Sequence, residues 1–170
     1  KEVSKSLSVL NLENDAFLKS LKDKCPKYHA LKYENNIATA NDIQALLDEQ
    51  TLLIEYFQTD SMVYLFTLSK AEVKLYPLAI SRKALKEKIE ALRQALSDYR
   101  FIAKKEAEAY QLFTKTAYWF YKEMLAVALT NKNIQNLIIV ADGELGHLPF
   151  ESFLVKLAPQ RLTDYHELHY

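Results

Sequence analysis

The stretch of this sequence best suited to form a catalytic loop is residues 136–153, "NLIIVADGELGHLPFESF". It contains both glycines of the chain, Gly143 and Gly146, and one of its four histidines, His147. A histidine acts as a general base only when a nucleophile lies within hydrogen-bond reach and a third group orients the ring. The single thiol, Cys25, belongs instead to the N-terminal helical region. We therefore interpret His147 as an ordinary loop histidine and predict no catalytic residue in this chain.

The same residues predict neither a phosphate site nor a metal site. The spacing Gly143-x-x-Gly146 matches neither the dinucleotide fingerprint nor the P-loop, and no Lys-Ser or Lys-Thr pair follows. We interpret both glycines as positive-φ positions in a reversal from a strand to a helix that begins near Pro149. Two pairs of zinc-ligand residues have helical spacing: Cys25 with His29, and His166 with His169. A pair supplies fewer ligands than the three or four that zinc needs, so no metal and no cofactor is predicted.

The composition predicts an ordinary globular protein and excludes two classes of partner. The 170 residues suffice for one domain with a sizeable core, or for part of a larger domain. The 22 basic residues equal the 22 acidic ones, so no net positive field attracts nucleic acid. No apolar run approaches the ~20 residues needed to cross a bilayer, and the first residues lack the apolar core of a signal peptide. A single cysteine fits a reducing cytoplasm.

Residues 1–50 are predicted to be helical. Apolar side chains recur at roughly helical spacing until Pro26 interrupts the pattern, namely Leu7, Leu10, Phe17, Leu18 and Leu21. The segment "TANDIQALLDE" restarts the pattern, with Thr39 or Asn41 as its N-cap. Its predicted apolar face consists of Ile43, Leu46 and Leu47. We predict a helical lead-in over residues 1–50, followed by a domain over residues 51–170.

Three runs after residue 50 predict β-strands, because they are rich in β-branched and aromatic residues: "TLLIEYFQ", "MVYLFTLS" and "EVKLYPLA". The polar separators between them are short enough to allow only tight reversals, so we expect an antiparallel three-stranded meander. Both alternating sets of the second run are mostly apolar. We therefore expect this strand to be covered on both faces of the sheet.

Two long helices and one further strand follow the meander. The first helix is predicted to begin near Ser81, with one apolar stripe of Leu85, Ile89, Leu92, Leu96 and Tyr99. The second is predicted to run without a break over residues 102–133 as a buried central helix, with Tyr110, Phe113, Ala117, Tyr121 and Met124 in its stripe. The wholly apolar run "NLIIVA" predicts an interior strand. Together these elements predict an α/β fold in which both helices pack on one sheet.

The order of these elements resembles the N-terminal part of a CHAT domain, a caspase-like family found in bacterial proteins, commonly behind tetratricopeptide repeats. "YFQTDSMVYLFTLSK" is similar to the opening hairpin of that family, and "DGELGHLPFES" to its Asp-Gly and Leu-Pro-Phe-Glu signature. The residues that match this signature are Asp142, Gly143, Gly146, Leu148, Pro149, Phe150 and Glu151. We interpret Glu151 as a carboxylate that complements the dipole of the helix it begins, a contribution of about 0.3–1 kcal/mol.

The resemblance implies a caspase-like layered fold and, for the parent protein, cysteine peptidase chemistry based on a His–Cys dyad. Both dyad residues of the family follow later strands, so no residue of this chain inherits a catalytic role. The resemblance thus implies a non-catalytic scaffold whose protein partners are the upstream repeats and the catalytic C-terminal half. The alternative is a CHAT-like module that has lost catalysis and binds other proteins. Neither alternative involves nucleic acid or a membrane.

The two ends of the sequence suggest an incomplete fragment. The chain begins at Lys1, and its last ten residues, "RLTDYHELHY", alternate like a strand that is just beginning. The apolar run "NLIIVA" would then lack a neighbouring strand on one side. We therefore expect the fragment to associate with itself unless the missing half is supplied.

Overall fold

A computed structural model describes residues 2–33, 37–158 and 168–170, with side chains from residue 6 onward. The chain forms two compact units, Lys1–Thr39 and Ala40–Tyr170. Each unit is described by itself below.

The first unit consists of two helices, α1 (Glu2–Lys24) and α2 (Pro26–Tyr33). The predicted interruption at Pro26 is confirmed, because this residue opens α2. The first position of a helix suits proline, since the amide at that position has no partner within the helix. Cys25 lies between the two helices and is exposed.

The second unit begins with a short helix, α3 (Ala40–Leu46). Thr39 therefore precedes the first helical residue, and Asn41 lies inside the helix. The Gln44 side chain donates a hydrogen bond of 2.8 Å to the Ser69 carbonyl. The prediction that Leu46 shares the buried face is wrong, because its side chain is 87% exposed at the last helical position.

The predicted meander is confirmed. Strands β1 (Thr51–Gln58), β2 (Val63–Leu68) and β3 (Val73–Leu78) pair antiparallel, and each reversal is closed by a backbone hydrogen bond of 2.9 Å. A fourth strand, β4 (Asn136–Val140), pairs with β1 in parallel. The result is a mixed four-stranded sheet in the order β3-β2-β1-β4. In the described part of the chain β4 is an edge strand, so the prediction of an interior strand is wrong there.

One face of the sheet is buried under helices, and the opposite face is only partly covered. The inner face is fully buried along β1 and β2, at Leu52, Ile54, Tyr56, Val63 and Leu65. On the outer face α3 contacts β2, and the side chain of Leu68 is buried. Tyr64 and Phe66 are half-buried there, and Phe57 is 54% exposed. The prediction that β2 is covered on both faces is thus confirmed for its inner face and for Leu68, and only in part for Tyr64 and Phe66.

Helix α4 (Arg82–Ser97) begins as predicted, with Ser81 as its N-cap. The hydroxyl of Ser81 accepts a hydrogen bond of 3.2 Å from the Ala84 amide. The predicted apolar stripe is buried at Leu85 and Leu92, but Leu96 and Tyr99 are 40% and 80% exposed. The stripe fails at Tyr99 because α4 ends at Ser97, two residues before it.

The predicted continuous helix over residues 102–133 is wrong. A separate helix, α5 (Tyr99–Lys104), ends at Lys105, whose φ of −142° is not helical. Helix α6 (Glu106–Phe120) then continues into a single π turn, Tyr121–Leu125. The apolar stripe predicted for this helix is confirmed at four residues, which are buried: Tyr110, Phe113, Ala117 and Met124.

The sheet is joined to the π turn by one buried hydrogen bond. The Tyr56 hydroxyl donates to the Met124 carbonyl over 3.0 Å. Burial raises the pKa of the Tyr56 phenol well above its ordinary value, so the phenol remains a proton donor. Tyr56 therefore connects the centre of β1 to the end of α6.

We expect Tyr56→Phe to lower the free energy of unfolding by about 1–3 kcal/mol, because the buried Met124 carbonyl loses its donor. Chemical denaturation followed by circular dichroism measures this loss. Tyr64→Phe is the matched control, since among the described residues the Tyr64 hydroxyl forms a hydrogen bond only with the Met62 sulfur, at 3.8 Å. Its effect should stay within about 0.5 kcal/mol. Equal losses in the two variants would contradict the assigned role of Tyr56.

Candidate functional site

The segment that follows β4 is a compact loop at the carboxyl end of the two parallel strands. It contains a 3₁₀ helix, Gly143–His147, and a single 3₁₀ turn, Phe150–Ser152. The helix predicted to begin near Pro149 is therefore only one turn of three residues. Glu151 does lie in the first turn of this element, and its predicted interaction with the helix dipole stays a prediction. The Glu151 side chain is exposed.

Asp142 fixes the start of this loop to β1. Its carboxylate accepts a hydrogen bond of 2.9 Å from the backbone amide of Gln58. Strand β4 ends at Val140, which pairs with Glu55, so β1 extends three residues beyond its parallel neighbour. The Asp142 side chain thus provides an acceptor at the position where β4 no longer offers a carbonyl.

The two glycines of the loop differ in their roles. Gly143 has a φ of +54°, which confirms the predicted positive φ at this residue. Gly146 has no positive φ, and a Cβ atom at that position would meet nothing within 4 Å. The prediction that the turn requires both glycines is therefore wrong for Gly146.

Apolar side chains hold the loop against the core. Leu145 and Leu148 are buried, and they lie on either side of the exposed His147. Phe150 stacks on Tyr56 with ring centroids 5.8 Å apart. These contacts give the signature leucine and phenylalanine a packing role.

The Pro-Phe-Glu part of the signature continues into a second stacked pair. Phe153 lies parallel to Phe120 of α6, with ring centroids 5.2 Å apart and planes 9° apart. Pro149 precedes the 3₁₀ turn with a φ of −78°, an angle that the proline ring favours. The loop therefore contacts both the sheet and the helix layer.

Within each unit, the described histidines and the cysteine form neither a dyad nor a metal site. The side chain of His147 makes no hydrogen bond or ion pair with any described residue. No group of three potential metal ligands occurs among the residues that the structure describes. His166, one member of the predicted pairs, lies outside the described residues. The His169 carbonyl accepts a hydrogen bond of 2.8 Å from the Val155 amide.

A cleft of about 450 Å³ lies between α4 and the loop. Its helix side consists of Lys86, Ile89, Glu90, Leu92, Arg93, Leu96 and Ser97, and its loop side of Glu144, His147, Leu148 and Pro149. The cleft therefore has an apolar floor and a charged rim. Sequence reasoning missed it, although the exposed end of the α4 stripe at Leu96 forms part of its wall.

The two edges of the sheet are built differently. Edge strand β3 contains Pro77 and Lys74, and Lys74 forms an ion pair with Glu72. Such residues discourage a further strand from pairing. Edge strand β4 contains no proline and no charge, and its Leu137, Ile138 and Val140 are 40–45% exposed.

The backbone direction of β4 shows which amides face the free edge. The Asn136 amide donates to the Gln50 carbonyl, towards β1. Successive amides of a strand point to opposite sides, so those of Leu137 and Ile139 face away from β1. Donors and apolar side chains are thus available together along this edge.

Comparison with known proteins gives no assignment: no family model matches the chain, and no curated protein matches it. Among the described residues no helix combines the length and the apolar character that a membrane span requires.

We expect Gly143→Ala to destabilise the protein by about 1–2 kcal/mol, because an alanine is forced into the left-handed region. Gly146→Ala is the matched control, and it should change the free energy of unfolding by no more than about 0.5 kcal/mol. Thermal melts of both variants measure the difference. A larger loss at Gly146 than at Gly143 would mean that the loop conformation described above is incorrect.

Proposed function

We propose that the unit Ala40–Tyr170 is a scaffold on which further strands of a caspase-like sheet of the CHAT type assemble. In this proposal the scaffold contributes no member of the His–Cys dyad. The partner is a polypeptide that carries the remaining strands and the dyad. The observation that carries the proposal is the outer edge of β4, beside which no described strand lies.

The contrast between the two edges supports this function. An exposed edge is normally shielded by charge, proline or a covering element, and β3 has the first two. The β4 edge has neither, and its outward amides at Leu137 and Ile139 lack neighbouring carbonyls in the described sheet. Its side chains from Leu137 to Val140 are apolar on both faces, as in strands of parallel sheets whose two faces are covered. A strand added beside β4 would therefore satisfy donors and bury apolar surface at once.

The parallel pairing of β1 with β4 also supports the proposal. Parallel sheets are usually extended by further strands whose connections cover the faces. The loop at the carboxyl end of β4 is held by the Asp142–Gln58 hydrogen bond and by buried Leu145. An added strand would consequently meet a fixed loop beside its own end.

The same edge should make the chain associate with itself when no partner is present. We expect sedimentation velocity to show reversible association that Leu137→Lys weakens by about tenfold or more, because a charge would have to be buried against the incoming strand. Leu75→Lys on β3 is the matched control, since Leu75 is also half-exposed on an edge strand.

Three outcomes separate the alternatives. A wild-type chain that stays monomeric, and does not bind a co-expressed polypeptide carrying the remaining strands, would contradict the scaffold function. If Leu75→Lys weakens the association and Leu137→Lys does not, the contact between copies of the chain lies on the outer face of the sheet, where Leu75 lies. Binding of a partner that lacks a dyad would support the non-catalytic interaction module.

A further expectation is that the purified 170-residue chain does not cleave caspase-type peptide substrates. The only thiol, Cys25, is exposed between α1 and α2. A fluorogenic peptide assay should therefore give the same rate for the wild type and for Cys25→Ala, equal to the rate without protein. Cleavage that disappears in Cys25→Ala would overturn the assignment of a non-catalytic scaffold.

A further inference from the structure

We propose that the cleft between α4 and the loop binds a short peptide with two adjacent large apolar side chains, flanked by one acidic and one basic residue. This inference is independent of the β4 edge. It concerns a different surface of the same unit, and its test leaves β4 unchanged.

The floor of the cleft suits apolar side chains. Leu92 and Leu148 form its buried base, and Leu96 is a wall residue that remains 40% exposed. Leu96 continues the apolar stripe of α4 beyond the part that packs on the sheet. Covering it would remove apolar surface from water without disturbing the core. The volume of about 450 Å³ falls within the ≈300–1,000 Å³ of clefts that bind small ligands.

The rim of the cleft carries both positive and negative side chains, so it favours a ligand that also carries charges of both signs. On the helix side Lys86 and Arg93 lie on either side of Glu90, which leaves one net positive charge. On the loop side Glu144 leaves one net negative charge when His147 is neutral. None of these five side chains forms an ion pair with another described residue, so their charges are available to a ligand.

The same charges argue against other ligands. A phosphate-bearing ligand near Lys86 or Arg93 would also meet the carboxylates of Glu90 and Glu144. A purely aliphatic chain would leave the charges of the rim desolvated and unpaired, which costs free energy. A peptide with an acidic flank towards α4 and a basic flank towards Glu144 matches both walls.

The probe for the test is the blocked tetrapeptide acetyl-Glu-Leu-Leu-Lys-amide, titrated into the uniformly ¹⁵N-labelled 170-residue chain. Saturable shifts of the amides of Leu96, Glu144 and His147 are the expected result. Acetyl-Glu-Ala-Ala-Lys-amide should bind at least about tenfold more weakly, because the leucine side chains bury more apolar surface than the alanine methyl groups do. Raising the salt concentration should weaken the binding of the leucine peptide.

The variants Leu96→Glu and Arg93→Glu test the wall and the rim separately. Leu96→Glu should weaken binding by about tenfold or more, and Arg93→Glu by several-fold with a smaller salt dependence. Leu46→Glu is the matched control. It places the same charge at an exposed leucine on a helix of the same unit, outside the cleft. It should bind like the wild type.

The proposal is overturned by any of three results. The first is the absence of saturable shifts at the cleft in the wild-type chain. The second is equal affinity for the leucine and alanine peptides. The third is an equal effect of Leu96→Glu and Leu46→Glu. Because each variant is checked for its ¹⁵N spectrum before titration, loss of binding by an unfolded variant is not counted as support.

Discussion

The buried hydroxyl of Tyr56 is the contact on which the arrangement of the second unit depends. It donates to the Met124 carbonyl, and so it joins the middle of the sheet to the end of α6. A π turn shifts the hydrogen bonds of that helix by one residue, and the Ala126 amide bonds to the Tyr121 carbonyl instead of to Lys122. The opposite side of the Tyr56 ring stacks on Phe150 of the loop. One side chain thus fixes the sheet, the helix layer and the loop relative to each other.

Because these contacts hold the loop in place, both walls of the cleft are rigidly positioned. One wall is formed by side chains of α4 between residues 86 and 97. The other is formed by the 3₁₀ helix Gly143–His147 and the residues that follow it. The loop wall is anchored by buried Leu145 and by the Asp142 hydrogen bond, and the helix wall by buried Leu92. A preformed cleft binds a ligand without the entropic cost of ordering its walls. The packing of the unit therefore supports binding at the cleft directly.

Local patterns in the sequence predict the strands well and the long-range contacts poorly. The three meander strands were predictable because alternating apolar residues and short polar separators act over a few residues. The break at Lys105 was not, since no glycine or proline marks it. Helical spacing also placed Tyr99 on the buried stripe, although α4 ends two residues before it. The bond from Gln58 to Asp142 joins residues 84 apart, and only the parallel pairing of β1 with β4 brings them together.

Strand β4 is held in the sheet by its parallel pairing with β1 and by contacts at its two ends. Its own side chains are largely exposed, so they contribute little apolar burial. At its beginning the amides of Gln135 and Asn136 donate to the Gln50 carbonyl, and just beyond its end Asp142 is bound to β1. The buried leucines of the loop add the apolar anchoring that the strand lacks. These contacts keep β4 in strand geometry, and no described strand pairs with its outer edge. Because its free edge is already ordered, a pairing strand would not have to order β4 first, and most of the conformational cost would fall on the partner.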